Sequence, residues 1–131
     1  MRLLVDTSAY VAFFRGHRAI QEVLAHADAL FINPVAIGEL LAGFRKGTLH
    51  AENVARLERF LASPRMSVLP IEAETADRYA TIHDGLQRAG TPVPSNDLWI
   101  AATAMQHGLR VVTTDRHFET IPQIVTSHHP P

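Results

Sequence analysis

Short apolar runs alternate with amphipathic stretches from one end of this chain to the other, and the runs are too short to be helices. "RLLV" (2–5), "ALFIN" (29–33), "RVVTT" (110–114) and "IVT" (124–126) read as strands, and "MSVLP" (66–70) is a further short run of the same kind. Between them, "SAYVAFFR" (8–15), "HRAIQEVLAHA" (17–27), "VAIGELLAGFRKG" (35–47) and residues 50–62 and 72–89 carry apolar positions at helical spacing. "DLWIAATAMQHG" (97–108) is one more helix, expected to be capped by Ser95 or Asn96 after the loop "AGTPVPSN". "DRHFETIPQ" (115–123) reads as a loop. Strands separated by helices must pair in parallel through right-handed crossovers. The expected fold is therefore α/β, a three-layer α/β/α sandwich around a central, mostly parallel sheet of about five short strands.

The chain has 131 residues, of which 47% are hydrophobic, enough for one domain with a real core and too many for disorder. Residues 1–127 are taken as that domain and 128–131 as a short tail, with "SHHPP" expected to fray. There is no cysteine, so disulfides, thiolate zinc sites and a cysteine nucleophile are excluded. No basic N-terminal region leads into a long apolar core, and no apolar run approaches a membrane span, so a cytoplasmic protein is expected. A net charge of −1 does not advertise nucleic-acid binding. Lys46 is the only lysine, and the arginines that make up the rest suit phosphate through their planar fork.

Four carboxylates stand at the rims of core elements. Asp6 and Asp115 each follow a strand, which puts them on the carboxyl edge of the sheet, where α/β folds keep their functional crevice. Glu39 lies within "AIGELLAG", and Asp97 sits in the first turn of a very apolar helix. Each taken singly could be a cap or a surface charge, and Asp6 before "TSAYVAFF" has a cap's placement. Taken together, four converging carboxylates with few basic neighbours would repel one another, and a divalent cation removes that repulsion. An all-oxygen donor set favours Mg²⁺ or Mn²⁺, ions suited to phosphoryl chemistry.

"LLVDTSAYVAFF", "GELLAG", "NDLWIAATA" and "VVTTDRHFETIP", in this order over nearly the whole chain, resemble the PIN-domain family and, within it, the VapC-type toxins of toxin–antitoxin pairs. The resemblance implies a PIN-like fold and a metal-dependent endoribonuclease, with acids matched by Asp6, Glu39, Asp97 and Asp115. It also implies supporting roles for Thr7, Ser8, Asn96 and Thr113. It further implies homodimers, an RNA substrate and inhibition by a VapB-type antitoxin. Many such proteins carry a further acid just after the position of Asp115, where this chain has Arg116, His117 and Phe118. One cation, with any second arriving alongside substrate, is the expectation. Arg15, Arg18, Arg45 and Arg116 are the expected substrate contacts.

Rival chemistries meet specific obstacles. A phosphatase with Asp6 as nucleophile lacks its acid two residues on, where Ser8 stands, and a receiver domain lacks its late lysine. Neither the dinucleotide glycine fingerprint nor a phosphate-loop lysine motif is present. Ser8 has no nucleophile elbow. The eight histidines are scattered; His128 and His129 read as solvated, and His117 as packing or solvent-facing, with a phosphate contact as its alternative. Trp99, Ile100 and Met105 fit a helix core better than a stacking platform for bases. A PIN-like binding module without catalysis and an acidic-site phosphohydrolase are the alternatives.

Overall fold

A computed structural model describes residues 1–131. Its elements run β1 (Arg2–Val5), α1 (Thr7–Phe14), α2 (Arg18–His26), β2 (Ala29–Ile32), α3 (Pro34–Arg45), α4 (His50–Leu61), β3 (Met66–Val68), α5 (Ala73–Ala89), α6 (Ser95–His107), β4 (Arg110–Thr113) and β5 (Val125–His128). The five strands form one sheet in the order β3-β2-β1-β4-β5, and every pairing is parallel. Leu3, Leu4 and Val5 are consecutive and all buried, as are Val111 and Val112, so both faces of the sheet are covered by helices. This is the three-layer sandwich expected from the alternation. Its core is one cluster of buried apolar residues that runs through every strand but β5 and includes Ile100, with Met105 packed against it and Trp99 lying on the Tyr79 ring.

The strand order turns at β1. β2 and β3 build outward on one side, and the chain returns to add β4 and β5 on the other. Loops leaving β1 and β4 therefore diverge, and a crevice opens at their carboxyl ends. Val5 pairs with Val112 there, so Asp6 and Thr113 are brought side by side.

Three features depart from the sequence-based reading. Neither Ser95 nor Asn96 caps α6: Pro94 holds the cap position without a side-chain bond, and the Asn96 amide is engaged elsewhere, on Glu39. The stretch after Asp115 is not an irregular loop but contains a 3-10 turn over Arg116–Thr120, anchored because Phe118 is fully buried. The last strand runs on to His128, and the tail does not fray. Thr113 pairs with His128, the His129 N–H donates to the Thr113 carbonyl, and the His17 Nε2 lies 2.7 Å from the Pro130 carbonyl oxygen. His128 and His129 are accordingly half-buried against Glu119 and Ser127 rather than solvated.

Candidate active site

Asp6 is both a cap and a buried carboxylate. The chain leaves β1 in extended conformation, and its Oδ1 accepts the Ala9 N–H at 2.7 Å, starting α1. Its other oxygen accepts from Thr113 Oγ1 at 2.6 Å, and Ser8 Oγ donates across both oxygens at 2.8 and 3.0 Å. The Thr113 and Ser8 hydroxyls are themselves aimed by backbone, since Asp115 N–H donates to Thr113 Oγ1 and Thr114 N–H to Ser8 Oγ. Three donors thus hold one carboxylate that is only 4% exposed.

Glu39 is oriented by two side chains from different elements. Thr7 Oγ1 donates to one of its oxygens at 2.7 Å and Asn96 Nδ2 to the other at 3.2 Å. The helices beneath are tied together by buried Asn33, whose Oδ1 caps α3 at Ala36 N–H and whose amide donates to Thr103 Oγ1 of α6. That link ties α3, which carries Glu39, to α6, which carries Asp97. Asn33 escaped the sequence reading, although an Asn-Pro pair ending a strand is a recognisable turn and cap signal.

Asp97, in the first turn of α6, meets Asp115 through His117. The imidazole Nδ1 lies 2.8 Å from Asp97 Oδ2 and 3.2 Å from Asp115 Oδ2. All four acids, with Thr7 and Ser8, line one cavity of about 650 Å³ at the sheet's carboxyl edge.

A family model described as the PIN domain matches residues 3–124. The chain belongs to the PIN-domain family. Its sequence is 31% identical over 128 residues to Ribonuclease VapC of Rickettsia bellii, covering 95% of this chain and 93% of that one. It is 37% identical over 100 residues to the tRNA(fMet)-specific endonuclease VapC of Salmonella typhimurium, covering 76% and 74%. The DNA-bound VapBC structure from Salmonella typhimurium superposes with a TM-score of 0.86 at 30% identity, covering 98% of both chains.

The electrostatics of this PIN domain fit a cation. Burial raises the Asp6 pKa from its ordinary 3.8 to about 6, against the opposing pull of Thr113, Ala9 and Ser8, and the Asp97 charge adds to the rise. Asp97 is also pushed upward, first by desolvation and then by Asp115 and Glu39, with the His117 hydrogen bond acting the other way. Burial and mutual repulsion thus both work against these carboxylates in the absence of a counter-charge. One ligand atom each from Asp97, Asp115 and His117 lies within 4.8 Å of the others. A single divalent ion with bonds of about 2.0–2.5 Å spans such a separation.

The structure sorts the remaining sequence candidates. Arg15 lines the cavity; Arg18, Arg45 and Arg116 are exposed and do not. The His117 side chain is half exposed, in keeping with a solvent-facing residue, and its ring also joins the acids. The "DRH" spacing carries the signal: His117 N–H donates to Asp115 Oδ1 at 2.9 Å, a turn that returns residue i+2 to the aspartate. His17, at the start of α2, and Pro131, drawn in by the pairing of β5, also line the cavity.

Proposed function

We propose that this PIN domain is a metal-dependent endoribonuclease, the VapC-type toxin of a type II toxin–antitoxin pair. The observation that carries the reading is the convergence of Asp6, Glu39, Asp97 and Asp115 on one cavity. RNA as substrate and a VapB-type antitoxin as partner are supported by the VapC ribonucleases and the VapBC assembly to which the chain is similar. No helix is long and apolar enough to cross a membrane. A cytoplasmic toxin acting as a homodimer completes the reading.

In this proposal Asp6, Asp97 and Asp115, with Glu39, hold Mg²⁺ or Mn²⁺. When bound, such an ion offsets the repulsion among the carboxylates, polarises a phosphoryl oxygen and lowers the pKa of water. The chain's own contribution is positioning. Thr113, Ser8 and the Ala9 N–H fix Asp6 before any ligand arrives, so little reorganisation is needed on binding. Glu39, steadied by Thr7 and Asn96, faces the cavity and is placed to accept the proton of the attacking water. Arg15 at the cavity wall supplies a fork of N–H donors for a backbone phosphate.

Cleavage of RNA by the purified protein, with Mg²⁺ or Mn²⁺ and then with EDTA, tests the reading. Cleavage should require the cation and disappear on chelation, and co-expressed antitoxin should silence it. Undiminished cleavage after exhaustive chelation would remove the metal from the proposal.

A further inference from the structure

We propose that the His117 imidazole joins Asp97 and Asp115 as a nitrogen ligand of the divalent cation and tilts the site's preference toward Mn²⁺ over Mg²⁺. The inference rests on the metal-dependent reading above and adds a residue to it.

Geometry carries the argument. Nδ1 of His117, Oδ2 of Asp97 and Oδ2 of Asp115 converge, with Nδ1 at 2.8 and 3.2 Å from the two carboxylates. The ring is not a loose surface group that happens to drift there. Its backbone N–H is tied to Asp115 Oδ1, its carbonyl accepts from Thr120 Oγ1 at 3.0 Å, and the next residue, Phe118, is locked in the core. Asp115 in turn hangs from Thr113 Oγ1, the same hydroxyl that holds Asp6. A side chain whose supporting backbone is fixed this way is preorganised for its contact.

The ring's orientation matches ligation. In the cation-free protein Nδ1–H donates to Asp97 Oδ2; a cation that displaces this proton meets the Nδ1 lone pair beside the two carboxylate oxygens, with the remaining proton on Nε2. The side chain is 51% exposed, so water is available to the Nε2–H. The two acids alone would make a hard, all-oxygen set suited to Mg²⁺. Replacing one oxygen by an imidazole nitrogen disfavours Mg²⁺, which demands oxygen and near-ideal octahedral geometry. Mn²⁺ tolerates mixed nitrogen and oxygen ligands and stands at the weak end of the transition-metal series.

Mn²⁺ is the probe, because its pulsed electron paramagnetic resonance spectrum shows ¹⁴N modulation when an imidazole is bonded to it. The purified wild type with MnCl₂ should show that modulation. It should persist in His17→Gln, a second histidine at the cavity, and vanish in His117→Gln with folding confirmed by circular dichroism. Calorimetric titration with MnCl₂ and MgCl₂ should show the Mn²⁺-to-Mg²⁺ affinity ratio falling on the order of tenfold in His117→Asp. Bound Mn²⁺ without nitrogen modulation, or modulation that survives His117→Gln, would overturn the assignment. Asp97→Asn separates the two ideas: if it abolishes Mn²⁺ binding while the wild type lacks modulation, the acidic metal site stands and His117 falls. If Mn²⁺ binding is indifferent to Asp97→Asn, both fall.

Discussion

Thr113 Oγ1 donates to Asp6 Oδ2 at 2.6 Å, joining residues 107 apart in sequence across the ends of two adjacent parallel strands. The contact is short, as expected for a hydroxyl donating to a carboxylate. Through it, the β1–β4 register decides where the buried charge of the site sits.

The first prediction concerns Asp6→Asn. Asn caps a helix about as well as Asp, and the Ser8 and Thr113 hydroxyls can rotate to accept from its amide. The fold should survive, and the cation-free protein should gain stability at pH 7. The rise of the Asp6 pKa to about 6 corresponds to roughly 3 kcal/mol at about 1.4 kcal/mol per pH unit, which bounds that gain. RNA cleavage should nonetheless collapse. Urea unfolding and a cleavage assay on the same preparation check both halves; near-wild-type cleavage would return Asp6 to the role of a cap.

A pH dependence follows from the same shift. Between about pH 4 and 6, folded Asp6 retains a proton that the unfolded chain has released, so stability falls as pH rises through that window. Asp97, also raised by burial, acts in the same direction. His117, raised first by its bond to Asp97, contributes stability that is present at low pH and lost as pH climbs. His129, half-buried and shifted downward by desolvation, opposes the trend, whereas the lowered Asp28 is exposed and acts only below about pH 4. In EDTA, unfolding free energy should be larger at pH 5 than at pH 7.5, and the difference should shrink in Asp6→Asn. A flat profile would contradict the burial of an unpaired charge.

Thr113→Val keeps the side-chain shape in a fully buried position but removes the hydroxyl. It strips a donor from Asp6 and orphans the Asp115 N–H. The expected cost is about 1–3 kcal/mol at pH 7, less at pH 5 where protonated Asp6 needs fewer donors. Denaturant titrations at the two pH values measure it. Equal losses at both would mean that the hydroxyl supports the fold alone and not the charge.

Among the arginines, only Arg15 reaches the cavity wall. Arg15→Ala should lower kcat/KM for RNA on the order of tenfold, through KM, as expected for a lost phosphate contact. Arg18→Ala and Arg45→Ala should stay within about twofold, the scale of a screened surface charge. Steady-state kinetics at two salt concentrations distinguish a direct contact from general attraction.

What could be read without the structure was whatever depends on local periodicity. Alternating strands and helices dictate a parallel sheet, and a parallel sheet dictates that residues following strands gather on one edge. Asp6 and Asp115 were legible for that reason, but the sequence set the cap and the cavity carboxylate against each other as rival readings of Asp6, whereas in the fold Asp6 caps α1 and lines the cavity at once. Glu39 and Asp97 stood out because a charge in an apolar helix is costly unless something meets it. What remained hidden depends on contacts between distant segments. Asn33 ties α3 to α6, His117 is carried to Asp97 by a 3-10 turn whose anchor is a buried Phe118, and the pairing of β5 draws the tail to the cavity. Local sequence sets the conformation a residue prefers; which carboxylate an imidazole meets is set by how the layers pack.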